Sequence, residues 1–349
     1  MITEIFRLAE GQEDEKIQRA AEIIRAGGLV AFPTETVYGL GADALREEAA
    51  AKIYAAKGRP SDNPLIAHIA DRSALYELAA SVPDWAERLA DAFWPGPLTL
   101  VYPKKAIVPD GTTGGLKTVA VRMPSHETAR KLIRAAGVPI AAPSANTSGR
   151  PSPTTARHVL EDMDGKVDCI LDGGDVGIGL ESTIIDATGP IPVILRPGYI
   201  SVEMVREIVG EAETDRAVEH PLGQGETPKA PGMKYRHYAP RARLVIVTGG
   251  EEAVMERING LTTEYEAAGT PCGVICTEET KAGYRCGNKK VIGSRKRQES
   301  IAHNLYAVLR QFDKEDTKVI FSESFDGGQL GQAIMNRLKK AAGYHIIRA

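Results

Sequence analysis

The side chains best able to do chemistry in this chain sit in short polar clusters, each beside an apolar run, and the densest lies between Pro139 and Thr155. There Ser144, Asn146, Thr147, Ser148, Arg150 and Ser152 follow the apolar run Val138 to Ala142, in a loop stiffened by Pro143, Pro151 and Pro153. Hydroxyls, an amide, a guanidinium and the N–H groups of a glycine turn are the donors that a phosphate chain or a carboxylate needs. Pro153-Thr154-Thr155 reads as a helix start, a further place where anions are favoured. The same composition also suits an ordinary solvated turn between a strand and a helix.

Other clusters repeat this pattern. Lys57 and Arg59 flank Gly58 with Asn63 close behind, although cations suit any helix C-terminus. Thr34, Thr36 and Tyr38 share the turn Pro33 to Gly41, whose glycines would let a ligand reach the backbone; a Thr-rich turn also caps a following helix. Arg122 lies near the end of the alternating run Val119 to Pro124. Facing a cleft it would take a carboxylate or phosphate in bidentate fashion; otherwise it is a surface arginine. Ser182 and Thr183 open another strand, and Arg196 ends the next. His68 lies inside a strand, a setting that more often makes a hydrogen-bonded structural residue than a catalyst. Gly111 to Thr118 imitates a P-loop but has Leu116 where glycine must precede the lysine, and no helix follows, so that reading is rejected.

Helices are predicted over Glu13 to Ala26, Glu47 to Lys57, Ala74 to Ala80, Trp85 to Phe93 and Ala156 to Met163. The first shows Ile17, Ala20, Ala21 and Ile24 at helical spacing and stops at Gly27-Gly28. Strands are predicted over Leu29 to Phe32, Leu65 to Ile69, Leu98 to Tyr102, Val119 to Pro124, Asp168 to Leu171 and Val193 to Arg196. Strands that alternate with helices and end in polar loops make an α/β sheet with a cleft along its loop edge. Leu222 to Pro240, rich in Gly and Pro, is a linker. Its core, Met233 to Tyr238, is richer in aromatic and basic residues than a spacer needs, so it is a lid candidate or, more simply, a docking strap. Beyond it a second alternation predicts a smaller Rossmann-like α/β domain that lacks Gly-x-Gly-x-x-Gly after its first strand. The expected boundaries are 1–210, 211–241 and 242–349.

At 349 residues the chain is longer than one core usually serves, consistent with two domains. Residues 1–205 hold 21 Lys and Arg against 27 Asp and Glu, and the remainder 22 against 19, so neither part has the basic excess of a sequence-independent nucleic-acid binder. No apolar run is long enough for a bilayer, and Met1-Ile2-Thr3-Glu4 does not open a secretory signal, so a cytoplasmic address is expected. Cys169, Cys272, Cys276 and Cys286 suit a reducing compartment as small buried side chains. Their spacing is not that of a zinc site, so no metal bound by protein side chains is expected.

Read as strings, the clusters resemble the YrdC/YwlC family of threonylcarbamoyl-AMP synthases in its long form. Pro-Thr-Glu-Thr-Val-Tyr-Gly-Leu-Gly, Lys-x-Arg-Pro-x-x-x-Pro-Leu, Trp-Pro-Gly-Pro-Leu-Thr, Val-Arg-Met-Pro, Pro-Ser-Ala-Asn-x-Ser-Gly and Ser-Thr-Ile-Ile-Asp occur in the family's order. Such an order is far more specific than any one match. The resemblance covers residues 10–205 and extends through Ala-Pro-Gly-Met-Lys-Tyr-x-His-Tyr-Ala-Pro and Ala-Ile-Met-Asn-Arg-Leu.

The resemblance implies an N-terminal twisted open mixed sheet with a concave ligand cleft, and synthesis of threonylcarbamoyl-AMP and pyrophosphate from L-threonine, bicarbonate and ATP, the last with Mg²⁺, for the threonylcarbamoyl-adenosine modification of tRNAs that read codons starting with A. It places the nucleotide on Lys57, Arg59, Asn63, Thr118, Ala142, Ser144, Asn146, Ser152, Arg196 and Tyr238, with Lys57 and Arg59 also the catalytic pair. It places threonine on Thr36, His68, Arg122 and Ser182. It also implies a monomer that hands its product to the tRNA threonylcarbamoyl transferase machinery, with tRNA binding not required. Two other readings stand beside it: a non-catalytic RNA- or tRNA-binding module, and a domain acting on carbamoyl phosphate.

Overall fold

The protein is described from a computed structural model covering residues 2–8, 13–218, 228–231, 233 and 237–349. It divides into two compact units, one formed by Met1–Ser148, Ser152–Gly177 and Glu181–Tyr235, the other by Gly149–Pro151, Ile178–Leu180 and Arg236–Ala349.

The first unit runs β1 (Glu4–Arg7), α1 (Glu13–Arg25), β2 (Val30–Phe32), β3 (Gly39–Asp43), α2 (Glu47–Lys57), β4 (Ile66–His68), α3 (Ser73–Leu78) and α4 (Asp84–Phe93). It continues with β5 (Leu98–Pro103), α5 (Asp110–Thr113), β6 (Thr118–Arg122), α6 (Glu127–Ala136), β7 (Ile140–Ala141), α7 (Ala156–Met163), β8 (Cys169–Asp172), β9 (Thr183–Asp186), β10 (Val193–Arg196), α8 (Val202–Val209) and β11 (Glu213–Thr214). Among the described residues its strands form one mixed sheet in the order β1-β8-β2-β3-β7-β4-β6-β5-β9-β10-β11. Because side chains alternate across a strand, Ala67, Leu100, Val121 and Ile185 point to one face and bury themselves with α2, α3 and α4 through Ile53, Leu75 and Leu89. At the other end of the sheet, α1 and α6 cover the opposite face with Ile17, Ile24, Leu132 and Ile133 against Phe32 and Ile140.

The centre of that opposite face positions the site. His68 pairs with Arg122, and Arg122 with Thr99, so the three side chains leave the sheet on the same side in one row. Beside them Ile66, Ala120, Val101 and Ile184 form a small apolar floor, covered by Ala217, Ala230 and Met233.

Most elements agree with expectation to within a residue or two, and α2 and α7 match to the residue. Strand β3 is a correction. The turn expected over Pro33 to Gly41 ends earlier, and Gly39–Asp43 pairs antiparallel with β2 and β7. Glycine is disfavoured in strands, which hides β3 from sequence, yet here it is required: a Cβ on Gly41 would lie 2.7 Å from both Phe32 and Ile140. The threonines cap no helix. Thr34 closes the turn on itself, donating to Val37 O at 2.6 Å and accepting from the amides of Thr36 and Val37. Helices α6 and α8 lie outside the expected set.

The second unit comprises β12 (Arg243–Thr248), α9 (Glu251–Ala267), β13 (Cys272–Cys276), β14 (Lys289–Val291), α10 (Gln298–Phe312), β15 (Val319–Glu323), α11 (Gly328–Ala341) and β16 (Ile346–Arg348). Its strands are all parallel, in the order β14-β13-β15-β12-β16. The alternation is Rossmann-like, but β15 separates β12 from β13, which the Rossmann order keeps adjacent. The four cysteines are buried with free thiols. Burial pushes the Cys276 thiol up to about 11, as befits inert core residues. No helix among the described residues is long and apolar enough to cross a membrane.

Candidate active site

One cluster gathers at the end of β6. Arg122, 4% exposed, donates from Nη2 to Glu35 Oε1 at 2.7 Å. Burial pushes the Glu35 carboxyl up, but the charge and hydrogen bond of Arg122 outweigh it and hold the group below the usual carboxylate range. His68 packs edge-on to Phe32, with Nδ1 3.0 Å from Ile66 O. Burial, reinforced by the Arg122 charge, brings its pKa down to about 3, so the ring is neutral at pH 7 and Nδ1 donates to that carbonyl. Thr36, fully buried, lies 2.9 Å from Thr34, hydroxyl to hydroxyl.

A corner at β9 and β10 extends this cluster. Ser182 Oγ is 2.7 Å from Thr99 Oγ1, and Arg196 donates to the Ser182 carbonyl at 3.1 Å and to its hydroxyl at 3.2 Å. The register shift between Ile194 and Arg196 turns the β10 end towards Ser182. Gly198 lets the two backbones close: a Cβ there would stand 2.4 Å from Thr183 N.

The other cluster is built on the last turn of α2 and the loop after β7. Lys57, 2% exposed, donates to Ser144 O at 2.5 Å and to Asn146 O. Ser144 Oγ donates to Asn146 Oδ1 at 2.5 Å. Gly58 takes a left-handed conformation, φ 62°, and ends α2, so that Arg59 turns back and donates to Asn63 O and Pro64 O. Asn63 is buried, and Oδ1 has no partner among the described residues. Thr118 opens β6, where it pairs with Pro103 of β5.

The turn Pro33 to Gly39 joins the two clusters. Its Glu35 meets Arg122, while Tyr38 donates its amide to Pro153 O and accepts from Ala145 N, and Gly39 bridges Ser144. A second link runs from Ser152 Oγ to Glu181 Oε1 at 2.6 Å, next to Ser182. Ala142, buried, donates its amide to Ile66 O and fixes where the loop leaves the sheet. The fold therefore gathers Thr36, His68, Arg122, Ser182 and Arg196 on one side, and Lys57, Arg59, Asn63, Ala142, Ser144 and Asn146 on the other, with Ser152 between; Thr118 stands at the start of β6 beside Pro103. Tyr238 belongs to the second unit, where it is buried, takes φ 64° and stacks on Tyr306 at 5.2 Å. Lys234, Tyr235 and Arg236 of the lid candidate lie outside the described residues.

Glu35, Thr99 and Glu181 go beyond the sequence reading. Carboxylates do not belong to a pattern of donors for an anion. The signal for Glu35 was an acidic residue between two threonines in an otherwise buried turn.

A mixed sheet that carries clustered buried cations and hydroxyls at its strand ends, followed by a parallel α/β unit, defines a two-domain protein of the YrdC-like class. Residues 22–198 match the Sua5/YciO/YrdC model, described as "Telomere recombination", and residues 200–343 match "Threonylcarbamoyl-AMP synthase, C-terminal domain". The chain belongs to this Sua5/YciO/YrdC family, in the form that carries the C-terminal domain. It is 51% identical over 348 residues to the threonylcarbamoyl-AMP synthase of Pyrococcus abyssi, covering 99% of this chain and 100% of that one. It is 50% identical over 337 residues to that of Bacillus subtilis, covering 96% and 95%. The crystal structure of P. abyssi Sua5 complexed with L-threonine superposes with a TM-score of 0.93 at 49% identity, over the whole of both chains.

Proposed function

We propose that this protein is a nucleotidyltransferase that makes L-threonylcarbamoyl-AMP from L-threonine, bicarbonate and ATP. The observation that carries this reading is the continuity of the Arg122 and Lys57 clusters through one buried turn, in a chain whose full-length relatives are named for that product. A small hydroxyl-bearing amino acid suits the first cluster: Arg122 takes its carboxylate, and Thr36, Ser182 and neutral His68 orient its polar groups. Adenosine triphosphate suits the second, where Lys57 stiffens the Ser144–Asn146 loop and Arg59 supplies positive charge, with Arg196 adding charge from the first cluster's side.

The chemistry fits these residues. The threonine amine, once it has lost its proton to solvent, attacks bicarbonate; an N–C bond forms and water leaves. A carbamate oxygen then attacks the α-phosphorus, the bond to the β-phosphate bridge breaks, and pyrophosphate departs with that electron pair. Both reacting groups are anions, so alignment and charge neutralisation matter more than a strong base. Mg²⁺ would arrive with the triphosphate and would supply charge neutralisation there. The proposed site offers cations, hydroxyls and amides, which suits a metal carried by phosphate. Among the described residues the metal-type cluster that stands out, Glu266, Cys272 and Cys286, lies in the second unit. Carbamates decompose in water, which gives the linker a purpose: Ala230 and Met233 pack on the open face, and Pro231 O accepts from Arg196.

The test is pyrophosphate release by the pure protein with MgATP, bicarbonate and each amino acid in turn. Release that requires both threonine and bicarbonate supports the reading. Salt-sensitive RNA binding without any release would favour an RNA-binding module.

A further inference from the structure

We infer that Glu35 reads the α-ammonium of the amino acid, forming with Arg122 a two-charge receptor for a zwitterion. The inference rests on the threonine-activating reading and adds to it a residue that decides substrate class.

The side chains of Glu35 and Arg122 are 13% and 5% exposed and share one hydrogen bond. By hydrogen-bond geometry each also keeps a buried polar atom without a partner among the described residues, Oε2 of Glu35 and Nε of Arg122, although the backbone amides of Glu35 and Ser125 lie near the carboxyl and help to hold its pKa down. Unmet atoms of this kind are costly in a finished fold and mark places that a ligand completes. A lone buried guanidinium would accept any small anion. With Glu35 beside it the Arg122 pair carries no net charge, and a simple carboxylate meets a guanidinium already paired and a second carboxylate that repels it. A zwitterion meets the opposite arrangement, its carboxylate towards Arg122 and its ammonium towards Oε2. The other titratable groups facing Glu35 are His68 from β4 and His126 ahead of α6, the latter also near Glu13 and Glu127. Burial lowers the pKa of both rings and favours their neutral forms, so neither supplies a competing cation. Once the substrate nitrogen carries a carbamate, Glu35 faces an anion and disfavours its return, which biases the intermediate towards the phosphorus.

The experiment compares binding of L-threonine and of 2,3-dihydroxybutanoate, which replaces the ammonium with a hydroxyl, to the full-length protein and to Glu35→Gln. We expect the unchanged protein to prefer threonine by about 100-fold, and Glu35→Gln to lose most of that preference while keeping its MgATP affinity. Equal losses on both ligands, or none, would overturn the inference. Should Glu35→Gln not fold, Glu35→Asp reads the same quantity: threonine affinity alone should fall, by roughly tenfold, and a parallel fall for the dihydroxy acid counts against the role. Failure of the unchanged protein to bind threonine sinks the parent reading and this one with it, whereas threonine binding that the substitution leaves unaltered sinks this one alone.

Discussion

Lys57 donates its ammonium to the carbonyl of Ser144 at 2.5 Å, tying the end of α2 to a loop 87 residues further along the chain. Tyr38 O and Gly39 also hold the loop, and the Lys57 carbonyl accepts from Ser148 N at 2.9 Å; the buried ammonium adds the side-chain tie that fixes the Ser144 and Asn146 carbonyls to the helix end. Lys57→Met keeps the apolar stem and removes the donors. We expect about 1–3 kcal/mol of lost stability and at least a ~100-fold fall in threonine-dependent pyrophosphate release, with the ATP KM rising more than the threonine KM. A normal rate with normal KM values would contradict the assignment.

Arg122→Lys keeps the charge but loses the planar fork and the contact with Glu35. The threonine KM should rise by roughly 10–100-fold, as expected where a buried, paired charge is reshaped, with little change for ATP. Steady-state kinetics with each substrate varied separately checks this, and an effect confined to ATP would place Arg122 in the wrong pocket.

Acid should weaken the fold. The pKa of His68 is depressed to about 3, so its neutral ring contributes stability that is fully present above the unfolded value of about 6.5 and is lost as pH falls towards the folded value. Glu35, also depressed, loses its contribution below the ordinary carboxylate range in the same direction. Urea unfolding at constant ionic strength should therefore show stability declining by up to about 1.4 kcal/mol per pH unit for each group that takes up a proton. His68→Gln should flatten the slope between pH 6 and pH 4, roughly the range between the two histidine values; an unchanged slope would show that His68 does not titrate with folding.

Gly198→Ala tests the Ser182 corner. The added methyl would meet Thr183 N at 2.4 Å and the Glu181 carbonyl at 2.8 Å, both backbone atoms that cannot rotate aside. A cost of about 1–3 kcal/mol is expected, seen as a lower Tm, together with weaker threonine binding because Ser182 shifts. A Tm equal to the parent's would mean that the corner is looser than its geometry indicates.

Much of the scaffold was legible because it is local. The apolar spacing of Ile17, Ala20, Ala21 and Ile24, and the glycine after Lys57, are written within single turns of helix, and α1 and α2 follow them. Strand β3 was not legible: its glycines read as a turn until Phe32 and Ile140, from two other strands, are seen to fill the space their missing side chains leave. Helix α6 was passed over although its apolar face, Ala129, Leu132, Ile133 and Ala136, repeats at helical spacing.

The order of the polar strings determined which residue types the chain offers for binding, and that two α/β units follow one another, since both are properties of neighbours along the backbone. Tertiary structure alone decided who meets whom. Glu35 answers Arg122 across 87 residues, Ser152 answers Glu181, and Ser182 is held by Arg196. Those pairings depend on strand register and on burial, which turn a surface arginine and an unremarked glutamate into one neutral receptor, and neither quantity exists until the sheet has closed.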